Sequence, residues 1–194
     1  MGLIAVPDDQ LATIVTTLEM RARPRPRPTP PSPLRLIRWR KPAPERYRAL
    51  FRRVGAPWLW FSRLAMSDAE LIRLTHAPAT QVHAAVDRQG VEVGLLELSH
   101  PAPDRCSLDY FGLVPELTGQ GHGGWLMALA MQLAWQPGLG VLHVNTCTLD
   151  HPRALGFYRT HGFVAVKRTI ETFPDPRAIG LLPRDAAPQV PLLA

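Results

Sequence analysis

The chain has 194 residues, 46% of them hydrophobic and 20% charged, with a formal net charge of +6. That length supports one compact domain with a real core, since about 150 residues already hide roughly 70% of the unfolded surface, and it is short for two. No apolar run reaches the roughly 18 residues that a membrane-spanning helix requires, and the first twenty residues carry Asp8, Asp9 and Glu19 in place of a basic start and an apolar stretch, so neither a signal nor a transit peptide is expected and the cytoplasm is the default compartment.

Arginine carries the positive balance, because Lys41 and Lys167 are the only lysines. This arginine and proline bias fits a bacterial chain from a GC-rich genome. A basic surface can serve nucleic acid, a membrane face or an anionic cofactor. Much of the charge falls in residues 21–53, where the aromatic interleaving that base stacking uses is sparse, so nucleic acid is disfavoured as a partner. Cys106 and Cys147 are too few for a disulfide framework and lack metal-ligand spacing. They read as buried free thiols, and no metal is expected.

In chain order, residues 12–20 are rich in Thr, Val, Ile and Leu and read as a strand. Residues 23–33, Arg-Pro-Arg-Pro-Arg-Pro-Thr-Pro-Pro-Ser-Pro, cannot be helix or sheet interior, because proline locks φ and lacks the donor; they form a connector. Residues 34–39 alternate and give a second strand able to pair with the first. Tyr47, Leu50, Phe51 and Val54 fall at i, i+3, i+4 and i+7, which marks an amphipathic helix over 44–54 with Arg46, Arg48, Arg52 and Arg53 on its solvated face. Ser67-Asp-Ala-Glu70 is a capping-box pattern that starts a second helix running to about Thr75. Residues 80–86 and 91–98 read as a hairpin around Asp87-Arg-Gln-Gly90. A further strand covers 107–114, a helix follows the glycine-rich turn and ends at Pro137-Gly138, and residues 141–148 form another strand. Pro152 suits the first position of a short helix to about Thr160, 163–173 is a long last strand, and the proline-bearing tail from Pro174 is expected to be loose.

Thr118-Gly-Gln-Gly-His-Gly-Gly124 stands between a strand and a helix. Backbone amides there are free to converge on one anion, helped by roughly half a positive charge at the helix N-terminus, so phosphate binding is the natural use. A nucleoside triphosphate loop would end in Gly-Lys-Ser/Thr, and this one ends Gly-Gly-Trp. Gly119, Gly121 and Gly124 match the dinucleotide pattern formally, but no Asp or Glu follows at the ribose-binding distance.

The segment Leu113-Val-Pro-Glu-Leu-Thr-Gly-Gln-Gly-His-Gly123 and, beyond it, His151-Pro-Arg-Ala-Leu-Gly-Phe-Tyr158-Arg-Thr-His-Gly-Phe163 resemble the two linked motifs of the GNAT superfamily of acyl-CoA N-acetyltransferases. Thr118 stands where that family usually has Arg or Gln, and His151 where it has Asn. The resemblance implies an α/β (α+β) fold in a single domain over 34–173, with a mixed, partly splayed central sheet flanked by helices. Residues 1–33 precede that domain as strand and connector, and 174–194 follow as a tail. It further implies acetyl-CoA as cosubstrate, with pantetheine lying like an extra strand against Leu113 and Val114. The pyrophosphate would lie on Gly119, Gln120, Gly121, His122, Gly123 and Gly124, and His151 and Tyr158 would border the cofactor near its thioester.

In such an enzyme Tyr158 would protonate the departing thiolate or hold its sulfur. A free phenol sits roughly 1.5 pKa units above a thiol, so outright proton donation is uphill by about 2 kcal/mol. The attacking amine must lose a proton, for which Glu97, a charge amid leucines, is favoured slightly over Asp109, which lies two residues past Ser107, where the family often has Glu. Trp58 and Trp60 could line an acceptor pocket. The expected function is transfer of an acetyl group to a primary amine on a small molecule or protein, by a monomer or homodimer without metal or membrane contact. The competing reading is a non-catalytic acyl-CoA-binding or partner-binding module on the same fold.

Overall fold

A computed structural model of the chain describes residues 2–25 and 28–193; Pro26 and Arg27 of the connector, together with Met1 and Ala194, lie outside the described residues. The elements are β1 (Gln10–Met20), β2 (Arg35–Trp39), α1 (Pro44–Gly55), α2 (Asp68–Thr75), β3 (Thr80–Val86), β4 (Glu92–Ala102), β5 (Arg105–Leu113), α3 (His122–Ala134), β6 (Val141–Cys147), α4 (Ala154–Thr160) and β7 (Val164–Pro174), with a 3₁₀ turn over Ala56–Trp58. The strands form one sheet in the order β2-β3-β4-β5-β6-β1-β7. All neighbours are antiparallel except β5 and β6, which run parallel. This is the single-domain mixed α/β architecture expected, a sheet flanked by four helices.

Local signals act where they were read. Tyr47, Leu50, Phe51 and Val54 of α1 are each exposed by 1% or less, and at about 1.5–3 kcal/mol per buried side chain they anchor the helix on β4 and β5. Ser67 Oγ accepts from the Glu70 amide at 3.3 Å while the Glu70 carboxylate accepts from the Ser67 amide at 2.8 Å, the reciprocal cap that starts α2. The α1 arginines serve the chain itself: Arg46 pairs with Glu92, Arg48 with Asp68, and Arg53 donates to the Glu92 carbonyl.

Two expectations give way to non-local pairing. The first two strands do not meet: β2 is one edge of the sheet on β3, whereas β1 fills the interior slot between β6 and β7. Residues preceding the connector are thereby part of the sheet, with Leu18 and Met20 in the core. The tail is not loose either. Arg177, 3% exposed, clamps Asp175 through Nε at 3.0 Å and Nη2 at 2.7 Å, and Nη1 donates to the carbonyls of Ala186 at 3.1 Å and Val190 at 2.8 Å. One guanidinium thus gathers a series of backbone turns, such as Leu181 N on the Pro176 carbonyl at 2.9 Å, while Leu182 and Ala187 enter the core. Gln189 then ties the tail to the Pro57 carbonyl at 2.7 Å.

Candidate active site

The parallel pairing of β5 with β6 covers only four positions, from Arg105↔Val141 to Leu108↔Val144, although both strands continue. On its other side β5 pairs with β4, and that register passes from Leu98↔Leu108 to Glu97↔Tyr110, leaving Asp109 as an unpaired extra residue. Such a bulge bends and overtwists its strand, and here it falls where β5 leaves β6. The result is a wedge with the main chain of residues 109–113 along one wall. Tyr110 and Phe111 point to opposite faces, Tyr110 onto Phe51 of α1 and Phe111 onto Phe157 and Tyr158 of α4. A cavity of about 490 Å³ occupies the wedge and crosses the sheet between them.

At one end of this cavity lie Thr118, Gly119, Gly121, Gly123 and Gly124. Gly119 and Gly121 have φ of +82° and +85°, a conformation costly for residues with a Cβ, and a Cβ built on either would meet nothing within 4 Å. The loop is therefore shaped by backbone demand and leaves its outer side open. No side chain caps α3 and no acidic residue stands in its first turn; the Gly124 amide donates to the Gly121 carbonyl at 3.1 Å, and the amides of Gly121, His122 and Gly123, with the helix dipole, are left to an anion. The Gln120 and His122 side chains do not line the cavity. Gln120 donates to the Glu116 carbonyl at 2.7 Å, and His122 Nδ1 meets Ser32 Oγ of the connector at 3.1 Å. Of the two residues expected along pantetheine, Leu113 lines the cavity, while Val114 is buried with its amide on the Val93 carbonyl.

Deeper in, Tyr158 borders the cavity at 7% exposure, its ring enclosed by Phe111, Phe157 and Phe163, and its hydroxyl makes no hydrogen bond within the described residues. Burial, aided by the Asp150 carboxylate, pushes its pKa well above that of an ordinary phenol. His151 also lines the cavity. Its Nδ1 accepts from the Arg153 amide at 3.0 Å, a local cap before α4, and its ring meets Trp58 at 5.1 Å.

Past Tyr158 the cavity is walled by Trp58, Trp60 and Tyr110. Asp109 stands between this space and a second, polar cavity of about 220 Å³ bordered by Arg63, Ser107 and Asn145, and it has neither hydrogen bond nor ion pair among the described residues. Glu97 is placed differently. It is 0% exposed, lines neither cavity, accepts the Tyr47 hydroxyl, and takes Arg63 through Nη2 at 2.6 Å and Nε at 3.2 Å. Burial raises its pKa against the opposing pull of Arg63 and the Tyr47 hydrogen bond. Glu97 thus fixes Arg63, which also lies 5.0 Å over the Tyr110 ring, one step behind the cavity wall.

Several lining residues carried no sequence signal. Asp150 accepts from Thr146 Oγ1 at 2.7 Å, the Cys147 amide at 2.9 Å and the Trp60 indole at 3.3 Å, so it locks the aromatic wall to the end of β6. Arg63, Asn145 and Glu171 belong to motifs of no length at all. The Asp-His-Pro sequence after a strand was the one available hint, and it reads equally as a plain turn. Among the described residues no group of three or more His, Cys, Asp or Glu could hold a metal ion, and no helix is long and apolar enough to cross a membrane.

A splayed mixed sheet carries a glycine-rich turn at one end of the splay and an unpaired carboxylate at the other. The chain belongs to the GNAT acetyltransferase family, whose model matches residues 45–163. Solved structures share the fold. A GCN5-related N-acetyltransferase from Sphaerobacter thermophilus superposes with a TM-score of 0.58 at 17% identity, covering 84% of this chain and 51% of that one. A functionally unknown protein from Staphylococcus epidermidis gives 0.57 at 11% identity, covering 86% and 63%. An aminoglycoside acetyltransferase from an uncultured soil metagenomic sample, solved with trehalose, gives 0.57 at 18% identity, covering 72% and 93%. The chain therefore spans only about half to two thirds of the first two. No curated protein matches its sequence.

Proposed function

We propose that the protein transfers an acetyl group from acetyl-CoA to a primary amine. The observation that carries this reading is the continuous cavity that joins the Gly119–Gly124 cradle, the unpaired edge of β5, the Tyr158 hydroxyl and Asp109. The donor set fits the cosubstrate: convergent amides for a diphosphate, a free strand edge for the two amides of pantetheine, and an aromatic pocket at Phe157 and Tyr158 for the thioester. When bound, acetyl-CoA supplies an activated acyl group.

Asp109 is the proton acceptor in this reading, favoured over Glu97 because Glu97 already holds Tyr47 and Arg63 and has no path to the cavity. A lysine-like ammonium is deprotonated at pH 7 at a cost of about 4.6 kcal/mol, and a carboxylate at the cavity wall lowers that cost by taking the proton as the nitrogen loses basicity in bond formation. Tyr158 acts by hydrogen bonding: a phenol whose pKa lies above its ordinary value keeps its proton against a thiolate. Its hydroxyl, unspent on the protein, would donate to the thioester sulfur.

Tyr158→Phe tests that role. A hydrogen bond to a charged atom is worth about 1.5–3 kcal/mol, so kcat falls about 10- to 150-fold, while the dissociation constant of acetyl-CoA, read by calorimetry, changes less than threefold. Unchanged kcat would remove Tyr158 from the reaction, and binding without turnover by the native chain across a broad amine panel would favour the non-catalytic reading.

A further inference from the structure

Strand β7 is the outer strand of the sheet, paired with β1 along one side only. It carries two cations, Lys167 and Arg168, and an extra residue, Val166, against β1, yet it is long and open. Nine of its eleven residues in succession are exposed, so neither face is covered, and among them Val164, Val166 and Ile170 are exposed by 65%, 52% and 65%. Ile14, directly opposite Ile170 on β1, extends the apolar surface with 47% exposure. A long edge of this kind is a template for another strand. Two of its three charges are self-complementary. In an antiparallel pairing of β7 with a second β7 about a two-fold axis at Thr169, Lys167 of each copy lies opposite Glu171 of the other. Among the described residues neither has an ion-pair or hydrogen-bond partner, and Lys167 is one of only two lysines.

We infer that two copies of this chain associate edge to edge through β7, joining their sheets into one continuous sheet across a two-fold axis. The symmetry doubles each contact: two Lys167–Glu171 pairs flank the axis, and each exposed Ile170 lies across from the Arg168 stem of the other copy on the joined surface. Because Glu171 also lines the candidate active-site cavity, the association sets a lysine from the second copy beside the mouth of each cavity.

The test is a charge-reversal cycle read by analytical ultracentrifugation of the full chain. The native protein is expected to sediment as a species of twice the 21.5 kDa chain mass. Lys167→Glu and Glu171→Lys alone each set like charges opposite one another and raise the dimer dissociation constant about ten- to a hundred-fold. The double variant Lys167→Glu/Glu171→Lys restores dimerisation. Both sites are exposed, so far-UV circular dichroism stays native throughout. A native monomer at all concentrations, a dimer indifferent to both single reversals, or a double variant as weak as the singles would overturn the inference.

Discussion

Replacing Asp109 by Asn is expected to lower kcat by about 10²–10⁴-fold at pH 7, the range a positioned proton acceptor contributes, with acetyl-CoA affinity unchanged. The substitution keeps size and shape at a residue that makes no hydrogen bond or ion pair among the described residues, so the fold has little reason to respond. The pH profile separates loss of a base from general damage. With Asn at the position, the amine must arrive already neutral, and its neutral fraction grows about tenfold per pH unit below its pKa of about 10.4. Activity of the variant therefore climbs about 100-fold from pH 7 to 9, more steeply than the native enzyme. A variant retaining half of native activity at pH 7 would exclude Asp109 as the acceptor. The same substitution at Glu97 removes a partner of Arg63 and Tyr47 instead, so its first readout is stability.

The second large effect is on folding. Arg177→Ala removes the cation from a pair whose side chains are 1% and 3% exposed, leaving Asp175 and the carbonyls of Ala186 and Val190 without their donor. Breaking one side of a buried pair costs about 3–5 kcal/mol, which for a chain of this size lowers Tm by about 6–20 °C. The dependence on pH has a definite sign. Burial alone would raise the Asp175 carboxyl, but hydrogen bonds from the Arg177 side chain and amide outweigh it and hold its pKa below the ordinary carboxylate value. Its contribution is therefore complete above the unfolded pKa of about 3.9 and disappears as pH falls through the folded value. In the variant the unpaired carboxylate is instead relieved by protonation. The gap in Tm between native and variant proteins thus narrows as pH drops below about 4. A gap that stays constant into acid, measured by calorimetry, would mean that the pair does not hold the tail.

What the sequence disclosed is what depends on near neighbours. The α1 stripe of Tyr47, Leu50, Phe51 and Val54, the Ser67–Glu70 cap and the glycines between β5 and α3 are all decided within a turn or two of chain, and each is found where its pattern stands. What it withheld depends on partners far away. Glu97 is conspicuous among leucines, but the groups that hold it, Arg63 and Tyr47, are 34 and 50 residues distant. The bulge at Asp109 exists only relative to the register of β4, and β1 reaches its slot only once β6 and β7 are in place. The tail looked loose because proline breaks regular structure, yet Arg177 binds its carbonyls without any.

In the proposed reaction everything depends on the amides opening α3 receiving the diphosphate of coenzyme A. Titration calorimetry of the native chain with acetyl-CoA measures it, with Gly121→Val as the control, since valine at a φ of +85° distorts the loop that lines the cavity. We expect one molecule bound per chain, a rise in Tm on saturation, and at least tenfold weaker binding by the variant. No heat and no change in Tm at millimolar acetyl-CoA, or equal binding by both proteins, would contradict this expectation.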